Sequence, residues 1–127
     1  MNPSNKWLKI AGLVLHVLIA LSVMLAGFAK LAGTMPTEGM PDNLRSQLTL
    51  IGIGELITGL LLLLPWTSPL GTLVMSGFWG GVISFHLLGD HQIATGIVML
   101  ALTWIAAFLR GSVPLLAIKA APASRAA

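Results

Sequence analysis

Long apolar stretches separated by short polar segments dominate this chain. Charged residues are absent from 10–29 and from 91–109, and Glu55 is the only charge in 46–89. The 46–89 stretch is interrupted at 65–69, where two prolines and two hydroxyl residues favour a turn. Because a helix needs ~20 apolar residues to cross the ~30 Å hydrocarbon core of a bilayer, the pattern predicts four membrane-spanning helices, at about 10–29, 48–64, 70–88 and 93–109.

The composition supports this interpretation. Of the 127 residues, 56% are hydrophobic and 9% are charged, whereas globular domains carry ~25% charged residues. A water-soluble domain, a disordered chain and a nucleic-acid-binding protein are therefore all disfavoured, and the lipid bilayer is the expected partner. The chain has no cysteine, which excludes disulfides, thiolate metal sites and a cysteine nucleophile.

We therefore predict an all-α fold, a single four-helix transmembrane bundle that occupies residues 1–127. Basic residues gather beside the chain ends, which places both termini in the cytoplasm by the positive-inside rule; they are Lys6, Lys9, Arg110, Lys119 and Arg125. Loop 33–47 then faces outward, and 111–127 is expected to form a disordered or interfacial tail. A secretory signal within 1–29 is the alternative for the first apolar stretch.

Glu55 is the main candidate for chemistry, because a carboxylate inside a bilayer is costly unless it is paired, protonated or hydrated. It shares a helix face with Gly52 and Gly59, at spacings that let a neighbouring backbone approach closely. On the first helix, His16 and Lys30 also lie on one stripe, which we expect to face inward. His16 itself is interpreted as a packing residue.

The predicted topology brings three polar residues to the outer third of the membrane, namely Lys30, Glu55 and His86. Trp79, two turns before His86, would form the floor between them. Two interpretations stay open at this point. These residues either tie helices together, as polar groups in membrane bundles often do, or line a small polar pocket open to the outer side.

Other motifs give weaker predictions. Gly77 and Gly81, with Ser84, form a small-residue seam for helix packing within or between protomers. His86, Asp90 and His91 are residue types that could ligate a metal, and positions i and i+4 share a helix face, but Gly89 is expected to end that helix, so no metal site is predicted. The chain lacks the G-x-S-x-G, G-x-x-x-x-G-K and H-E-x-x-H motifs, and no catalytic residue is predicted.

Several segments together resemble the DoxX-like family of small membrane proteins. These are Ala26-Gly27-Phe28-Ala29-Lys30-Leu31, Ile51-Gly52-Ile53-Gly54-Glu55-Leu56 and Ser84-Phe85-His86-Leu87. The resemblance extends from Leu13 to Leu109 and implies a four-helix membrane fold, with the family's Lys, Glu and His at Lys30, Glu55 and His86. Many relatives carry an arginine in the second hairpin, where this chain has Thr67-Ser68-Pro69.

The resemblance implies a link to membrane redox enzymes, since the family takes its name from a subunit associated with a thiosulfate:quinone oxidoreductase. We expect a non-catalytic accessory subunit of the bacterial inner membrane, with a quinone-like or amphipathic ligand as the possible cofactor. One alternative is an assembly protein that docks a larger membrane partner, or another copy of itself, through its glycine seams. A small proton-coupled exporter that uses Glu55 is a further alternative.

Overall fold

The computed structural model describes residues 3–89 and 91–111, and within them helices joined by turns and loops are present, without a strand. This confirms the predicted all-α class. The five helices are α1 (Pro3–Leu31), α2 (Asp42–Arg45), α3 (Leu48–Leu63), α4 (Ser68–Leu88) and α5 (Ala94–Arg110).

The four longer helices coincide with the four predicted segments, and their ends follow local chemistry. Pro65 lies two residues beyond α3, where it cannot continue the helix. Pro69 lies in the first turn of α4, where its missing N–H has no partner to lose. Gly111 ends α5 with a φ of 75°, the left-handed conformation that glycine tolerates. The short helix α2 falls in the predicted loop 33–47 and was not expected.

One boundary differs from its predicted position by more than two residues. Helix α1 begins at Pro3 rather than near residue 10, since Lys6 and Lys9 do not interrupt a helix and only mark where its apolar part begins. Asp90 and residues 112–127 lie outside the described part of the chain. Of the predicted tail 111–127, only Gly111 lies in the described part of the chain.

The longer helices pack in a ring in which each packs mainly against two others. Helix α1 contacts α3 and α5, and α4 contacts the same two helices from the other side. The core between them consists of small and medium apolar side chains, which are Ile19, Ala20, Val23, Leu62, Met75 and Ala106. Small residues at these positions allow short distances between helix axes.

The outward faces of these helices are apolar as well. Each long helix exposes large apolar side chains, for example Leu25 (71% exposed), Ile57 (52%), Leu73 (50%) and Phe108 (72%). By length and composition, two helical segments could cross a membrane, Lys6–Leu31 and Ser68–Leu88, while α3 and α5 are shorter apolar helices. Most of the apolar surface of these helices therefore lies outside the core.

Candidate functional site

An ion pair joins α1 to α3. The ammonium nitrogen Nζ of Lys30 donates hydrogen bonds to both carboxylate oxygens of Glu55, at 2.8 Å to Oε1 and 2.7 Å to Oε2. The two side chains are 10% and 4% exposed. The charges therefore neutralise each other away from solvent, and hydrogen bonds to charged groups are the strong ones.

Two glycines bring these helices close enough for the pair to form. A Cβ atom added to Gly27 would lie 2.7 Å from the carbonyl oxygen of Gly52, and one added to Gly52 would lie 2.8 Å from the carbonyl oxygen of Gly27. Backbone atoms cannot move aside as a flexible side chain can, so both positions require glycine. The crossing lies one turn from Lys30 and from Glu55, which sets the two side chains opposite each other.

An open, groove-like cavity of about 360 Å³ lies beside Glu55. All four long helices contribute to its wall. The lining residues are Ser22, Val23 and Ala26 from α1, Glu55 from α3, Phe78, Trp79 and Val82 from α4, and Thr95 and Met99 from α5. The volume lies near the lower end of the ~300–1,000 Å³ that is typical of small-molecule sites.

The wall of this cavity is mainly apolar and has few polar atoms. Ser22 directs its hydroxyl to the carbonyl of Ile19, at 2.8 Å. The indole N–H of Trp79 is buried and has no hydrogen-bond partner among the described residues. The Trp79 ring also packs edge-on against Phe78, with 5.0 Å between ring centroids. The cavity therefore combines apolar walls with a carboxylate whose charge Lys30 neutralises.

The structure does not place His86 with the other predicted site residues. Its Nδ1 atom lies 2.8 Å from the carbonyl oxygen of Gln92, its ring contacts those of Phe85 and His91, and it is not among the described residues that line the cavity. Seven residues separate His86 from Trp79, which is about 10 Å along a helix. Helix α4 brings Phe78 and Trp79, rather than its last turn, to the level of Glu55.

The four glycines predicted to mediate helix packing fall into two groups. Gly52 lies in the crossing described above, and a Cβ atom on Gly59 would meet the Met24 side chain and the backbone of α1. In contrast, a Cβ atom on Gly77 or Gly81 would have no atom within 4 Å. The first group thus supports the contact between α1 and α3, and the second lies on an open face of α4.

A second polar cluster lies at the opposite end of the four helices. Its centre is Arg110, whose Nη1 atom donates to the His16 Nδ1 atom at 3.2 Å, to the Ser68 hydroxyl at 3.2 Å and to the Leu62 carbonyl at 3.3 Å. His16 and Ser68 are fully buried. One arginine therefore joins α5 to the other three long helices.

Sequence reasoning missed this arrangement because it counted Arg110 only as a terminal charge. The sequence predicts His16 only as a packing residue. One sequence feature could have indicated the cluster. His16, Ser68 and Arg110 fall toward the same end of three predicted helices. Arginine can extend its aliphatic stem along apolar surface before its guanidinium finds acceptors.

Comparison with protein-family models, with curated proteins and with solved structures finds no significant match to this chain. The arrangement of the described residues therefore carries the functional argument.

Proposed function

We propose that this protein is an integral membrane protein whose four long helices all span the bilayer. Support comes from the large apolar side chains exposed on every long helix, since contiguous apolar surface of this kind calls for a non-aqueous environment or a partner. Helix α3 has 16 residues, which is about 24 Å at ~1.5 Å per residue. A bilayer accommodates this small deficit by local thinning.

Internal hydrogen bonding of the hydroxyl groups agrees with this assignment. Thr58, Thr72, Ser76, Ser84 and Thr103 each donate to the backbone carbonyl four residues earlier, at 2.7–2.9 Å. Such bonds satisfy a hydroxyl inside its own helix, which matters where lipid offers no acceptor.

The orientation that we propose places both termini in the cytoplasm of a bacterium. Lys6, Lys9 and Arg110 lie at one end of the four helices, where positive charge favours the inner side. Trp7 and Trp66 belong to this end too and are 70% and 77% exposed. Indole rings at the boundary between lipid and water are typical of membrane proteins.

Within this framework we propose a non-catalytic accessory subunit that binds a quinone-like or other amphipathic ligand. The carrying observation is the open cavity at the Lys30–Glu55 pair, where apolar walls meet a few polar groups. This combination is the usual form of a small-molecule site. The resemblance to DoxX-like proteins supplies the proposed link to membrane redox enzymes.

Binding of a short-chain quinone to the purified protein in lipid nanodiscs tests this function. We expect saturable binding that Glu55→Gln and Lys30→Met each weaken about tenfold, or ~1.4 kcal/mol, because either change leaves one buried charge unpaired beside the cavity and disturbs its wall. Asp42→Asn is the matched control, since this carboxylate is 99% exposed. Absence of saturable binding, or equal affinity in all four proteins, would overturn the proposal.

A second candidate is an assembly protein that docks a membrane partner through α4. The observation that favours it is the open face at Gly77 and Gly81, which no described residue of the chain covers. Purification in mild detergent with and without Gly81→Leu tests this candidate. A stoichiometric partner lost from the variant would support docking, and an identical single species from both proteins would exclude it. We do not propose an exporter, because Glu55 is held by Lys30 rather than free to cycle.

A further inference from the structure

The cavity wall shows where a ligand would enter. Among its described residues, Ser22 and Ala26 of α1 and Thr95 of α5 are exposed, whereas those from α3 and α4 are buried or half-buried. The mouth therefore lies between α1 and α5. These two helices pack tightly at their other end, where a Cβ atom on Gly12 would lie 2.6 Å from the backbone nitrogen of Arg110.

The direction of this mouth follows from its surroundings. Leu25 lies beside Ala26 on α1 and is 71% exposed, and Ile97 lies between Thr95 and Met99 on α5 and is 48% exposed. Apolar residues thus flank the mouth on both helices. If the four long helices span the bilayer as proposed above, the mouth opens sideways toward lipid rather than along the membrane normal.

Charge in the cavity restricts its occupant. Glu55 already receives two hydrogen bonds from Lys30, so the pair presents no net charge to a ligand. A charged head group would have to enter an apolar space without a counter-ion, which is strongly unfavourable. An uncharged molecule avoids this cost.

We infer that the cavity admits an uncharged amphiphile directly from the lipid, through the opening between α1 and α5. Its hydrocarbon part lies against Trp79, Val82 and Met99. This inference rests on the proposed function and adds to it the route of entry and the charge state of the ligand.

Fluorescence quenching of Trp79 tests this inference. The protein carries Phe in place of Trp7, Trp66 and Trp104, and is placed in phosphatidylcholine nanodiscs. The probes are methyl dodecanoate, dodecanoate, dodecyltrimethylammonium and dodecane, each brominated on its chain. Quenching that saturates and is reversed by unbrominated methyl dodecanoate reports specific occupancy.

We expect the ester and the alkane each to bind at least tenfold more tightly than either charged probe, because neither brings an unpaired charge into the cavity. Ala26→Phe should abolish saturable quenching by filling the mouth. Thr95→Phe, on the opposite side of the mouth, provides a second block should the first variant misfold. Leu25→Phe is the matched control on the neighbouring lipid-facing position and should leave quenching unchanged.

Equal quenching by charged and uncharged probes, or normal quenching in folded Ala26→Phe and Thr95→Phe proteins, would overturn the inference. If quinone binding still depended on Glu55, only the inferred route and charge selectivity would be wrong, and the proposed function would remain supported. If neither the quinone nor any brominated probe showed saturable binding, both would be wrong.

Discussion

The pair between Lys30 and Glu55 gives the sharpest energetic prediction. Both carboxylate oxygens of Glu55 accept from Nζ, at 2.7–2.8 Å, and the side chains are 10% and 4% exposed. Lys30→Met leaves a carboxylate buried without a counter-ion, and Glu55→Gln leaves a buried ammonium group. Breaking such a pair from one side costs ~3–5 kcal/mol. Removal of both charges leaves no unpaired ion, so the double variant should lose much less stability than either single variant.

The assay is a double-mutant cycle scored by unfolding in mixed detergent micelles. The free energy of coupling should exceed ~1 kcal/mol, since the sum of the single effects overstates the effect of the double variant. Asp42→Asn with Arg45→Met supplies the control cycle, because that pair is 3.9 Å apart and its side chains are 99% and 50% exposed. Exposed pairs of this kind contribute ~0–1 kcal/mol.

Additive effects of Lys30→Met and Glu55→Gln would refute the reasoning. The two side chains would then not interact in the folded protein, and the neutral charge assigned to the cavity wall would be wrong. A coupling energy no larger than that of the exposed control pair would lead to the same conclusion.

Three further predictions concern other parts of the molecule. Arg110→Met should lower the free energy of unfolding by about 2 kcal/mol, since it removes charged hydrogen bonds to three other helices; unchanged stability in detergent unfolding would contradict that role. Gly52→Ala should destabilise by ~1–3 kcal/mol through overpacking, whereas Gly54→Ala, which meets no atom within 4 Å, should be neutral or stabilising by up to ~1 kcal/mol in the same assay. His86→Gln should leave quinone affinity unchanged where Glu55→Gln lowers it, and a similar loss in both variants would return His86 to the site.

Much of the fold was predictable because charges mark where apolar helices end. A carboxylate such as Glu55, within 16 otherwise uncharged helical residues, must face the interior, and Gly52 on the same face indicates where another helix approaches. Lys30, the last charge of α1, is then the partner within reach. These deductions need only helix geometry and the cost of an unpaired charge.

The parts of the site that the sequence does not predict depend on the axial offset of each helix relative to its neighbours. The level of α4 relative to Glu55 decides whether Trp79 or His86 borders the cavity, and periodicity does not encode that offset. The hydrogen-bond partners of Arg110 cannot be predicted from the sequence for a similar reason, because a long side chain at a helix end can extend outward or fold back onto the helices. Which glycines meet a backbone also depends on packing: Gly52 does, whereas Gly77 does not.

Photoaffinity mapping tests the central claim most directly, namely that the space beside the Lys30–Glu55 pair holds a ligand. A photoactivatable short-chain quinone is incubated with the protein in nanodiscs, irradiated, and located by peptide mass spectrometry. The account predicts labels on Val82 and Met99, within the cavity, that excess unlabelled quinone displaces. Labels spread over lipid-facing positions such as Phe108, unaffected by competing quinone, would contradict it.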